Sequence, residues 1–219
     1  MAKTIIFDMD GTLVDSLMFW DVLWKYFGER FGRGSSFRPD AQVERAVRTV
    51  PLKEAMDIVH TGCRIGESGD ELFHAANELI EQFYSCEVQL KPGVLKVLQE
   101  FKEAGIPMCL ASATEHDMIR IALAHCGITD YFSEIFSCAS SGRGKEHPDV
   151  YLEALGYLGT DAESTWVFED SYVALKTARE IGLPTVGIYD IYNANQDAVK
   201  ECSVLYIGEG ESLEKILSV

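Results

Sequence analysis

Short β-rich runs recur along this chain with helical stripes between them, and that alternation limits its fold more than any other feature. The runs are Thr4 to Phe7, Pro107 to Ala111, Glu134 to Cys138, Thr165 to Phe168, Pro184 to Tyr189 and Val204 to Ile207. From residue 92 onward, apolar residues between the runs fall at helical spacing: Val94, Leu95, Leu98 and Phe101; Met118, Ile119, Ala122 and Cys126; Val150, Tyr151, Ala154, Leu155 and Leu158; Ala174, Leu175, Ala178 and Ile181. Strand then helix, repeated, predicts an α/β fold with a parallel sheet covered on both faces.

Residues 17–87 break this pattern. They carry no convincing strand and read as several helices separated at Gly32 to Ser36 and Gly66 to Gly69. Trp20, Trp24, Phe27 and Phe31 stack along one helical face, which predicts the packed interior of a small bundle. The domain reading is therefore a catalytic core of residues 1–16 and 88–219 with an all-helical cap, 17–87, inserted into it.

With 219 residues, 47% of them hydrophobic, the chain is large enough to fill a sizeable core. Its net charge of -16 disfavours nucleic acid or an anionic membrane surface as a general partner. Cys63, Cys86, Cys109, Cys126, Cys138 and Cys202 form no Cys-x-x-Cys pair and read as reduced core thiols. The opening residues resemble no secretion signal, and no apolar run reaches the roughly 18 residues of a membrane span, so a soluble cytoplasmic protein is expected.

The first β-rich run ends in acids: Phe7-Asp8-Met9-Asp10-Gly11-Thr12-Leu13-Val14-Asp15-Ser16. Side chains alternate along a strand, so Asp8 and Asp10 are expected to leave one face, and Gly11 permits a sharp turn beyond them. Two close carboxylates repel unless a cation or a reacting group lies between them. At a strand end in an α/β sheet, such a pair stands at the ligand crevice. Thr165 to Asp170 is likewise an apolar run ending in acids, where Asp170 or Ser171 also suits a helix cap. Ser112 follows a third run; Ser112-x-x-Glu115 and Thr114-x-x-Asp117 also fit capping boxes. His116 lies beside them, either facing the site or solvated on its helix. Lys145 follows a glycine-flexed loop, and Pro148 suits the first turn of the next helix.

Taken together, Phe-Asp-x-Asp-Gly-Thr-Leu-x-Asp-Ser at residues 7–16, the hydroxyl of Ser112, Gly144-Lys145-Glu146-His147-Pro148-Asp149-Val150-Tyr151-Leu152 and Phe168-Glu169-Asp170-Ser171 resemble, in order, the four motifs of the haloacid dehalogenase-like (HAD) phosphohydrolases. Glu146 stands where the third motif usually has proline. The resemblance implies a Rossmann-like doubly wound parallel sheet core carrying an inserted cap, closest to the helical-capped branch that includes phosphoglycolate phosphatase and β-phosphoglucomutase. It implies Asp8 as nucleophile forming an aspartyl-phosphate, and Asp10 as acid and then base. Gly11, Ser112, Ala113 and Lys145 would bind the substrate phosphate, with Lys145 offsetting negative charge. Mg²⁺ is the implied cofactor, held by the Asp8 carboxylate, the Asp10 backbone carbonyl and Asp170, with Glu169 direct or through water.

The reading that follows is a Mg²⁺-dependent phosphatase acting on a small phosphorylated metabolite. A sugar phosphomutase is the alternative, although β-phosphoglucomutases carry histidine at the position of Trp20. A non-catalytic phosphate-binding or signalling module, similar to response-regulator receivers, fits the Asp-x-Asp-Gly-Thr spacing and the long insert poorly. The histidines lack zinc-helix spacing and no P-loop is present, which sets aside zinc hydrolase and P-loop chemistry. In the cap, Arg45, Arg48, Lys53 and Arg64 are read either as solvated surface or as contacts to a second anionic group of the substrate. Arg143 is an additional cation without an assigned role, and the oligomeric state is left open.

Overall fold

Thr4–Phe7 is a strand, β1, buried along its whole length, as an apolar run in the middle of a parallel sheet must be. In a computed structural model that describes residues 3–47, 50, 52–138, 142–193 and 195–218, β1 lies centrally in a six-stranded sheet. The other strands are β2 (Met108–Ser112), β3 (Glu134–Ser137), β4 (Thr165–Glu169), β5 (Thr185–Ile188) and β6 (Leu205–Ile207), in the order β3-β2-β1-β4-β5-β6 with every pairing parallel. Ile6 is in register with Cys109 on one side and Val167 on the other. The order reverses at β1, which makes the carboxyl ends of β1 and β4 the topological switch point where α/β sheets bind ligands.

The chain divides into two compact units, one running to Leu17 and resuming at Val88, the other Met18–Glu87. The helical unit contains α1 (Phe19–Arg30), α2 (Ala41–Val47), α3 (Leu52–Cys63) and α4 (Gly69–Cys86). Trp24 and Phe27 are fully buried, and the ring centroids of Trp20 to Trp24 and Phe27 to Phe31 lie 5.4 and 5.6 Å apart, so the aromatic stripe packs inward as its spacing predicts. The α4 start is capped by Ser68, whose Oγ accepts from the Glu71 amide at 3.1 Å.

In the sheet unit, α5 (Val94–Glu103), α6 (His116–His125), α7 (Asp149–Leu158), α8 (Tyr172–Glu180) and α9 (Gln196–Glu201) alternate with the strands. Ile6, Ala111 and Val167 on one face pack with Val150, Tyr151 and Ala154 of α7 and Ala178 of α8. Residues of opposite parity point to the other face: Phe7 and Phe168 stack at 4.6 Å, and Phe101 of α5 approaches both, at 6.5 and 6.2 Å. Burying a ring such as Phe7 or Phe168 contributes about 1.5–3 kcal/mol. These two layers cover both faces of the parallel sheet, as the alternation predicts, in the doubly wound architecture that the resemblance implies.

Two expectations need correction, and one alternative reading does not hold. On α5, Leu95 is exposed and Val97 takes its place in the core, because the buried stripe runs through 94, 97, 98 and not 95. Neither of the capping boxes offered as an alternative forms at α6, whose N-cap, Glu115, makes no side-chain cap bond. Only Cys109 and Cys138 are buried among the thiols, while Cys86, at the exposed end of α4, is solvent-facing.

Candidate active site

β1 ends at Phe7, and the chain turns immediately: the Leu13 and Val14 amides both donate to the Met9 carbonyl, at 2.9 and 3.0 Å, and the Gly11 amide donates to Val14 at 2.9 Å. Asp10 therefore lies in the turn beyond the regular strand, close enough that its charge helps raise the Asp8 carboxyl. Gly11 sits at φ +78°, and a Cβ there would lie 2.5 Å from Oδ2 of Asp170, so both backbone conformation and space demand glycine.

Asp8 leaves β1 on the face of Ile6, and Glu169 leaves β4 on the face of Val167, which brings both toward α7. Asp8, Glu169 and Asp170 are all buried, with one oxygen from each within 4.8 Å of the others. Lys145 reaches between them from the loop before α7; its Nζ donates to Oδ1 of Asp8 and, at 2.7 Å, to Oε2 of Glu169. Tyr151 of α7 directs its hydroxyl to the same Glu169 oxygen at 3.5 Å. The second Glu169 oxygen accepts the amides of Asp170 (3.2 Å) and Ser171 (3.0 Å), so the acid is tied to the turn that ends β4. Asp170 accepts from Thr12 Oγ1 on Oδ1 at 3.0 Å and from Asn193 Nδ2 on Oδ2. It does not cap α8 with its side chain, nor does Ser171.

Asp10 occupies a different setting. Its carboxylate accepts from Ser16 Oγ at 2.6 Å and from Thr114 Oγ1 at 2.7 Å. Ser112, buried at the end of β2, accepts the Thr114 amide on its Oγ at 3.1 Å, and this contact stands in place of the alternative capping role. A hydroxyl that accepts one bond keeps its proton to donate. Ala113 follows it, exposed. His116 receives a bond from Arg120 Nε at 3.4 Å along its own helix, which is the solvated-helix alternative. Arg143 lies 3.6 Å from Asp149 at the start of α7. In the helical unit Lys53 is engaged with Asp57 and Asp70 at 3.0 and 2.9 Å, the solvated-surface alternative, and Arg48 lies outside the described residues.

The electrostatics follow from crowding. Burial pushes the Asp8 carboxyl up to about 8; Glu169 adds to the rise and Lys145 opposes it. Burial, then Glu169 and Asp8, hold Asp170 well above the usual carboxylate range. Burial works against the charge on Lys145, but Asp8 and Glu169 more than offset it and keep the ammonium protonated. Three buried acids facing one lysine are short of positive charge. Their donor set is all oxygen, which suits a hard divalent cation such as Mg²⁺. Thr12, Tyr151 and Asn193 were not singled out by the motifs' chemistry: Thr12 and Tyr151 lie inside the motif strings, whereas Asn193 lies in none and gives no sequence signal.

Residues 2–182 match the family model described as haloacid dehalogenase-like hydrolase. The chain is 24% identical over 217 residues to a phosphorylated carbohydrates phosphatase of Thermotoga maritima, covering 98% of both proteins. It is 29% identical to a phosphoglycolate phosphatase of Rhodobacter capsulatus, over 85% of this chain and 84% of that one. The crystal structure of β-phosphoglucomutase from Clostridium difficile superposes with a TM-score of 0.74 at 19% identity, covering 100% of this chain and 96% of that one, a likeness of fold.

Proposed function

We infer that this chain, which belongs to the haloacid dehalogenase-like hydrolases, is a phosphatase that cleaves a small phosphorylated metabolite through an aspartyl-phosphate on Asp8. The observation that carries the reading is the buried set of Asp8, Glu169 and Asp170 with Lys145 bonded between two of them, at the switch point of the sheet. Asp8, Asp170, the Asp10 carbonyl and Glu169 would hold Mg²⁺. Bound there, the cation would neutralise charge on the phosphoryl group and the acids together.

An Asp8 oxygen attacks phosphorus, forming the Asp8–phosphorus bond while the ester oxygen departs with the electrons of the bond it leaves. Asp10 gives its proton to that oxygen; the Ser16 and Thr114 hydroxyls hold its carboxylate in place for this. As a carboxylate, Asp10 then takes a proton from water, which attacks phosphorus and releases phosphate and free Asp8. Ser112, Lys145 and the chain at Gly11 and Ala113 bind the phosphoryl oxygens. The helical unit, inserted between β1 and α5, is read as a cap that sets substrate choice. Trp20, stacked on Trp24, offers no imidazole for a phosphomutase's proton transfers, which favours water as the acceptor. Six free thiols suit a reducing, cytoplasmic setting.

The test is hydrolysis of p-nitrophenyl phosphate and of a panel of phosphorylated sugars and small acids, with Mg²⁺ and with chelator. Magnesium-dependent phosphate release is expected. A well-folded protein that releases none from any of them, or converts a hexose 1-phosphate into its 6-isomer instead, overturns the reading.

A further inference from the structure

We propose that Asn193 is a positioning residue for the cation: its amide clamps Asp170 and presents that carboxylate to Mg²⁺. The inference rests on the metal-dependent reading above and adds a residue that no motif contains. Asn193 Nδ2 donates both to the Asp170 carboxylate, at Oδ2, and to the Asp170 backbone carbonyl at 3.1 Å. The carbonyl can only accept, so the nitrogen of the amide is the atom that faces Asp170. Thr12 holds the other carboxylate oxygen at 3.0 Å. Between them the two donors hold both oxygens of the Asp170 side chain, beside Asp8 and Glu169.

The clamp is itself braced. Asn193 stands on the loop after β5, where its backbone N–H donates to the Asp190 carbonyl at 3.0 Å and its backbone carbonyl accepts from Gln196 Nε2 at 3.1 Å. Gln196 also holds the Asp190 carbonyl, at 2.6 Å, and is oriented by the Tyr206 hydroxyl at 2.9 Å. Buried Asp190 takes the Tyr192 amide at 2.9 Å on one oxygen and the Lys91 ammonium at 2.8 Å on the other. A loop that served only to join β5 to α9 would not need its backbone held at this many points. Residues that orient a metal ligand are typically worth about 10–100-fold in metal affinity.

The experiment titrates Mg²⁺ alone into metal-free protein by calorimetry, for wild type and Asn193→Ala, and separately measures the Mg²⁺ concentration that half-activates p-nitrophenyl phosphate hydrolysis. Expected are a dissociation constant raised about 10–100-fold and a parallel rise in the half-activating concentration. A merely structural role lowers the metal-free melting temperature and leaves the dissociation constant alone. If wild type binds Mg²⁺ and Asn193→Ala binds it within about twofold of wild type, the positioning role is refuted while the phosphatase reading stands. If wild type binds no Mg²⁺, the metal reading falls and this inference with it. Should Asn193→Ala not fold, Gln196→Ala loosens the same clamp from outside, with a dissociation constant raised about three- to tenfold expected and an unchanged one refuting the role.

Discussion

Asp8 is buried beside two other acids, and Lys145 is the cation that stands between it and Glu169. Lys145→Met keeps the stem and deletes the charge. Its hydrolysis rate is expected to fall about 10²–10³-fold in a p-nitrophenyl phosphate assay, as for loss of other preorganised charge stabilisers; a rate near wild type contradicts the assignment. Sequence made some of these residues visible and hid others, for a physical reason. Asp8, Lys145 and Asp170 each sit in a local string that resembles a motif of the family, and it is that resemblance, not composition, that makes them visible. Asn193 works through a contact to Asp170 formed only when the loops after β4 and β5 meet, and no spacing within its own segment announces it. Ser112 and Thr114 carry a local capping pattern that does not form: Ser112 Oγ takes the Thr114 amide two residues on, and the Thr114 hydroxyl donates to the distant Asp10 carboxyl group, a contact that no local spacing announces.

At the scale of elements, the turn after β1 joins backbone geometry to chemistry. Gly11 at φ +78° holds the chain where a Cβ would meet the Asp170 carboxylate. Gly11→Ala is expected to cost about 1–2 kcal/mol from the left-handed backbone alone, seen in denaturant unfolding. Displacement of Asp170 should lower turnover further, by about 100-fold; normal turnover would show that the close approach does not matter. Ser68→Ala removes the α4 cap and should cost about 1 kcal/mol in the same unfolding measurement; no loss would mean solvent serves the Glu71 amide equally well. The strands were legible because fully buried parallel strands read as continuous apolar runs, as in Thr4–Phe7. Helix faces were legible to within one residue: Leu95 beside Val94 fits a stripe on paper, but Val97 is the one turned to the sheet.

For the whole molecule, the crowded acids couple folding to pH and to metal. An unfolded Asp8 ionises near its ordinary 3.8, whereas the folded carboxyl is pushed up to about 8 by burial and then Glu169. Between these values the folded state holds a proton that the unfolded state has lost, so stability falls as pH rises through the window. In chelator the melting temperature is expected to decline from about pH 5 upward until the folded carboxyl has itself ionised, and Mg²⁺ should flatten the slope; a flat profile in chelator contradicts this. The switch point in the strand order explains why the acids converge, since Asp8 and Asp170 come from strands that are neighbours in space and far apart in sequence. That convergence was implied by family resemblance and not by any spacing, because topology is written in no single segment. The most direct measurement of the central claim is borohydride trapping during turnover of a phosphate ester with Mg²⁺, followed by mass spectrometry. Reduction of an acyl phosphate to homoserine at position 8 is predicted, and phosphate release with no trapped residue, or trapping at another acid, contradicts it.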